Sequence, residues 1–206
     1  MTDLGKDFKK YALSEGISSM NLHYFEKNLV ENSMTPYILE EREMRVTQMD
    51  IFSRLMRDRI LWVAGVVNTQ MSTVVQAQLM YLDSVEKKDI TLHIDSPGGS
   101  VLAGLGMVDV MRYIKSDVQT INTGMAASMG SILLSSGTKG KRASLNFSKV
   151  MIHQVSSGAS GHVEDNRISQ MESEKYNYIL FKMLAENSGR DFDYVLESAR
   201  RDNWLN

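Results

Sequence analysis

Apolar and polar positions alternate in blocks along this chain, and the blocks change period. "RILWVAGVV" over 59–67 is a short apolar run rich in β-branched residues, the pattern of a buried strand. After it, Met71, Val75, Leu79 and Leu82 recur at helical spacing and predict a helix over 71–82. "ITLHI" (90–94) predicts a second strand. "DSPGGS" then turns the chain, with Ser100 as the cap of a helix running to about Ile114. "VQTIN" (118–122) predicts a third strand. A helix over 126–136 follows, closed by Gly137 as its C-terminal glycine. "VMIH" (150–153) predicts a fourth strand. From His162 to Ser188 there is neither Gly nor Pro, and Ile168, Met171, Ile179 and Met183 mark one face. This predicts the longest helix, over about 162–187. Residues 1–34 carry only weak periodicity and read as an N-terminal tail or removable leader, which leaves 35–206 as one domain. Alternating strands and helices imply right-handed crossovers and a parallel sheet, an α/β fold.

Composition narrows the function. A chain of 206 residues is long enough for one sizeable core. Its formal net charge of −2 argues against a general nucleic-acid binder, which carries a basic excess. There is no cysteine, so disulfides, thiol nucleophiles and thiolate metal sites are excluded. The polar start "MTDLGKDFKKYALSEG" has no apolar core of a secretory signal. No apolar run approaches the roughly 20 residues that span a bilayer. The expectation is a soluble cytoplasmic protein with no membrane partner, no metal and no cofactor.

One polar residue stands out. In "TGMAASMGS" (123–131), Ser128 lies among Gly124, Ala126, Ala127 and Gly130, in what reads as the first turn of the 126–136 helix. There the backbone N–H groups lack intrahelical partners and the helix dipole adds positive charge. A serine attacking a carbonyl needs such donors at the oxygen that becomes negative. The N–H of Met129 could be one and that of Gly99, in "DSPGGS", a second. The plainer reading is that small residues let the helix pack closely on the sheet and that Pro-Gly-Gly makes an ordinary turn. The local pattern alone favours it. A phosphate-cradling loop does not fit, because neither glycine fingerprint is present. A serine nucleophile also needs a base. His23 lies in the tail, His93 inside a strand and His162 at the start of the long helix. His153, at a strand end beside a loop, suits the role best. Composition cannot choose the carboxylate among 25 Asp plus Glu.

Together, "SPGGSVLAG", "TGMAASMGSILLSSGTKGKR" and "KVMIHQ", in this order and spacing, resemble the proteolytic subunit family of the caseinolytic (Clp) proteases. The upstream "PYILEEREMRVTQMDIFSRLMRDRI" is also similar, so the resemblance runs from about Pro36 to Asn206. It implies a crotonase-like fold of repeated β-β-α units with a protruding handle helix. It implies two stacked seven-subunit rings enclosing a chamber, in which each subunit is a serine endopeptidase acting on unfolded polypeptides fed by a ring-shaped unfoldase ATPase. On the family's motifs, Ser128 is the nucleophile, His153 the general base and Asp202, in "RRDNWLN", the orienting carboxylate. Gly99 and Met129 form the oxyanion hole.

The chain departs from the family's pattern in places. Val155 stands where Pro commonly follows His-Gln. Arg200, before Arg201, replaces a usual acidic residue. The ATPase-docking positions fall on Thr91, His93, Tyr113 and Ala143, of which only Tyr113 is aromatic. Few residues follow Asp202, with only Trp204 and Leu205 as apolar anchors, so the expectation is a poorly ordered Asp202. Two other classes compete with the endopeptidase: an acyl-CoA enzyme of the crotonase superfamily, and a non-catalytic ring subunit. The first would not need Ser128, His153 and Asp202 together. The second is disfavoured by an intact serine and histidine.

Overall fold

The structure, a computed structural model, describes residues 37–42, 45–156, 158 and 161–205. The expected leader, 1–34, lies outside the described residues, as does His23. The chain divides into two compact units, Met1–Arg54 and Leu55–Asn206. In the first, β1 (Tyr37–Arg42) pairs antiparallel with β2 (Arg45–Asp50). A short helix, α1 (Ile51–Arg57), follows.

The second unit is built on a sheet in the order β3-β4-β5-β7-β8, with β6 also paired to β5. Its strands are β3 (Ile60–Ala64), β4 (Ile90–Ser96), β5 (Val118–Ala127), β6 (Arg142–Ser144), β7 (Lys149–Ile152) and β8 (Asn203–Leu205). Every pairing is parallel except that of β7 with β8. The helices are α2 (Thr69–Val85), α3 (Val101–Tyr113), α4 (Met129–Ser135), α5 (Val163–Ser188) and α6 (Phe192–Ser198). This is the α/β, mostly parallel architecture that the alternation predicts, and it accords with the crotonase-like class.

Period-two burial explains the layering. Leu61 and Val63 of β3 and Leu92 and Ile94 of β4 point into one core. That core is closed by Val75 and Leu79 of α2, Met107 and Val108 of α3, and Ile132 and Leu133 of α4. The opposite face carries a row in register across four strands: Trp62, His93, Ile121 and Ala143. Asn68 caps α2 through the N–H of Met71 at 2.9 Å, and Ser100 caps α3 through that of Ala103 at 3.3 Å.

Gly137 does not serve as a left-handed cap. The cap of α4 is Ser136, in right-handed helical conformation. Gly137 is small for another reason: a Cβ there would lie 2.3 Å from Oγ1 of the fully buried Thr120. The long helix, α5, occupies 163–188 and ends at Gly189, which is left-handed with φ 71°. Its expected apolar face is divided. Met183 is buried, whereas Ile168, Met171 and Ile179 are exposed. Arg142 fixes the root of this helix to α4, donating to the Ser135 carbonyl at 2.9 Å and the Asn187 carbonyl at 2.8 Å.

Candidate active site

Parallel strands deliver their C-terminal ends to one edge, and that is where ligands bind in open α/β sheets. Here Gly99 follows β4, Ser128 follows β5 and His153 follows β7. β5 and β7 are in register at Ala127 and Met151, so the next residues of the two strands emerge side by side. The Ser128 N–H donates to the Met151 carbonyl at 2.9 Å and fastens the turn to β7.

Ser128 is not in the first turn of a helix. β5 continues to Ala127, and Ser128 is the single residue between that strand and α4, with φ 53° and ψ −120°. Such a conformation is costly for a non-glycine residue, about 1–3 kcal/mol. It makes a sharp strand–turn–helix elbow that lifts the side chain off the sheet. The elbow needs small neighbours. Ala126 is fully buried, and a Cβ at Gly130 would lie 2.9 Å from the Ser96 carbonyl oxygen. The sequence signal was the pair of small residues two positions either side of the serine.

His153 sits one residue beyond β7 and spans two partners. Its Nε2 lies 2.8 Å from Ser128 Oγ and its Nδ1 lies 3.1 Å from Asp202 Oδ1. The imidazole is about one-fifth exposed, at 21%, so solvent reaches it without dissolving the contact. Asp202 is not frayed, contrary to expectation. β8 runs antiparallel to β7 with Val150 opposite Leu205, Met151 opposite Trp204 and Ile152 opposite Asn203. The next pair in that register is His153 and Asp202, so the ladder itself sets the two side chains against each other. Trp204 and Leu205 act less as apolar anchors, being half exposed, than as ladder partners.

The turn after β4 faces Ser128. Gly98 and Gly99 have φ of 93° and 147°, which glycine adopts freely. A Cβ on Gly98 would touch Ser128 Cβ at 2.7 Å, and one on Gly99 would lie 2.3 Å from the Val67 carbonyl oxygen. The two glycines thus permit close backbone packing more than ligand approach. Val67 bridges this turn: its N–H donates to the Gly98 carbonyl and its carbonyl accepts from the Ser100 N–H, each at 2.8 Å. Those bonds leave the N–H groups of Gly99 and Met129 without an acceptor among the described residues. Ser96, fully buried, went unnoticed in the sequence. Its hydroxyl donates to the Gly65 carbonyl at 2.6 Å and accepts from the Gly98 N–H at 3.1 Å, stiffening the turn. Val155 has a use that proline could not have: its N–H donates to Asn177 Oδ1 of α5 at 2.6 Å.

The site opens into a cleft of about 250 Å³ whose apolar wall includes Met129, Ile132, Leu180 and Leu184. The remaining candidates lie elsewhere. His93 stacks on Trp62, ring centroids 4.7 Å apart, on the sheet face away from the helices. Its Nδ1 is buried without a partner among the described residues, and burial holds its pKa below the usual histidine value. Thr91 and Ala143 share that face, while Tyr113, 79% exposed, ends α3 on the helical side of the sheet. His162 is the residue before α5 and caps nothing with its side chain. Among the described residues no group of acidic and histidine side chains could hold a metal. No helix among them is long and apolar enough to cross a membrane.

The family model described as Clp protease matches residues 41–206. The chain is 49% identical over 201 residues to the ATP-dependent Clp protease proteolytic subunit of Bacteroides fragilis (strain YCH46), covering 97% of this chain and 91% of that one. It is 48% identical to the protein of the same name from Bacteroides thetaiotaomicron, with 97% and 91% covered. It is 44% identical to that from Porphyromonas gingivalis, with 97% and 90% covered.

Proposed function

The chain belongs to the Clp protease family, and from that membership we propose that it is an ATP-dependent Clp protease proteolytic subunit, a serine endopeptidase in which Ser128, His153 and Asp202 act as the triad. The observation that carries the reading is the single imidazole placed 2.8 Å from the serine oxygen and 3.1 Å from the carboxylate. Family and relatives favour it over an acyl-CoA enzyme or a non-catalytic ring subunit.

His153 Nε2 takes the Ser128 hydroxyl proton as Oγ bonds to the scissile carbonyl carbon. The carbonyl oxygen becomes negative and is received by the N–H groups of Gly99 and Met129, held by the Val67 bridge and the Ser128 elbow. Asp202 keeps the Nδ1 proton in place and stabilises the imidazolium. His153 then gives its proton to the departing amine, leaving an ester on Ser128. Water, deprotonated by the same nitrogen, attacks the ester and frees the acid and the serine. The apolar wall of the cleft suits an apolar side chain next to the bond cut.

The subunit is further proposed to act in the cytoplasm within two stacked seven-membered rings on unfolded polypeptides, supplied by a ring-shaped Clp-type ATPase that docks at His93 and Tyr113. Of the docking positions only Tyr113 is aromatic, while Trp62 stacks on His93.

Ser128→Ala removes one oxygen. It should abolish labelling by a fluorophosphonate probe and cut peptide hydrolysis at least ~10³-fold while leaving assembly intact. Labelling that persists, or a rate within tenfold of the parent, would assign the nucleophile to another residue.

A further inference from the structure

Asp202 is placed by its backbone. Its side chain is 66% exposed, and His153 is its only hydrogen-bond partner among the described residues. A carboxylate tethered at one point on an exposed stem takes whatever position the segment from Arg200 to Asn203 gives it. On one side that segment is fixed by the pairing of Asn203 with Ile152. On the other, the Arg200 N–H makes a long bond of 3.3 Å to the Glu197 carbonyl. The firmer tie comes from across the ladder. Gln154 Nε2 donates to the Arg200 carbonyl oxygen at 2.7 Å.

Gln154 is the residue after His153. One short segment therefore carries the imidazole and, through the next side chain, clasps the loop that carries its carboxylate. The segment is itself held from α5 by the Asn177 bond to the Val155 N–H, at 2.6 Å. The two ends of the Asp202 segment are thus referred to the same strand end as His153. The imidazole–carboxylate distance is then insensitive to movement of either loop alone. Without the Gln154 bond, Arg200 and Arg201 can swing toward solvent and take Asp202 with them, while the ladder at Asn203 stays closed.

We propose that Gln154 is a positioning residue that sets the Asp202 carboxylate against His153 and acts on the reaction only through Asp202. The inference rests on the triad reading above. Gln154→Met keeps length and neutrality but removes the donor. It should lower kcat roughly tenfold, the equivalent of one ordinary hydrogen bond, with KM unchanged within about twofold. Asp202→Asn should cost ~10³- to 10⁴-fold. In that background Gln154→Met should add less than about twofold, because the group it positions no longer works. Gln154→Lys, which restores a donor, should stay within about threefold of the parent. Rates are compared per assembled subunit. If Gln154→Met does not assemble, Gln154→Glu, equally long and without a donor, takes its place with the same expectations. A full effect of Gln154→Met in the Asp202→Asn background, an unchanged kcat in the single variant, or a rise in KM alone overturns the proposal. Asp202→Asn costing less than tenfold would instead sink the triad reading.

Discussion

At the scale of single residues, the site rests on backbone conformations that neighbouring strands impose, with Ser128 held at φ 53° beside β7. The small residues around Ser128 are plain in the sequence, but a positive φ is not, because it depends on β5 running on to Ala127 beside β7. Asp202 could not be picked from local pattern at all; only the resemblance singled it out, since its pairing with His153 is made by a ladder between segments about fifty positions apart. His93 shows the reverse. As a strand residue it reads as packed or superficial, and it is both: half-buried, stacked on Trp62, with Nδ1 unsatisfied among the described residues. Its neighbours in register, Trp62 and Ile121, carry no charge to offset a proton. Burial lowers its pKa, so the unfolded chain takes up the proton first. Stability from the neutral imidazole is then present above the unfolded value of 6.5 and is lost as pH falls through the lower folded value. His93→Phe keeps the stack and removes the titration. Its melting temperature should drop less than that of the parent between about pH 7.5 and about pH 5.5. Equal drops in the two proteins would place the acid sensitivity elsewhere.

At the scale of elements, long or strongly apolar segments were readable and short mixed ones were not. β3, α2, β4, α3, β7 and α5 fall within a few residues of their expected spans. β6 and β8 are three residues each, "RAS" and "NWL", too short to show a period, and the seven-residue α6 is little better. These are the elements for which tertiary pairing, not propensity, decides the conformation. The consequence falls on the site, because β8, too short to show in the sequence, is what keeps Asp202 from fraying. A chain cut to end at Asp202 loses the ladder partners of Val150, Met151 and Ile152. Peptide hydrolysis per assembled subunit should fall toward the ~10³- to 10⁴-fold deficit expected without the orienting carboxylate. Ser128 and the Val67-bridged turn, which make no contact with β8 in the ladder, should stay in place. A rate within tenfold of the parent would mean that α6 and Gln154 suffice to hold Asp202.

At the scale of the molecule, α5 poses a problem that one chain does not solve. At 26 residues it is about 39 Å long. Its buried residues, Leu180, Phe181, Met183 and Ala185, are confined to the last third, where Arg142 and α6 hold it. Before them, Ile168, Met171, Tyr178 and Ile179 are 41–57% exposed on a helix whose remaining surface carries solvent-facing ion pairs such as Glu164–Arg167 and Glu172–Lys175. Such pairs add at most about 1 kcal/mol each and do not justify an uncovered apolar stripe. The proposed stacked rings would cover it, each α5 packing on the same helix of a subunit in the facing ring, an isologous contact. A carboxylate buried in that contact would carry a large desolvation cost. Ile179→Asp should therefore leave each ring intact and give a particle of half the parent mass by native mass spectrometry. The cleft wall from Leu180 onward should be untouched, so fluorophosphonate labelling of Ser128 in the half-particle should persist. A particle that keeps the parent mass after Ile179→Asp would show that this stripe is covered in some other way.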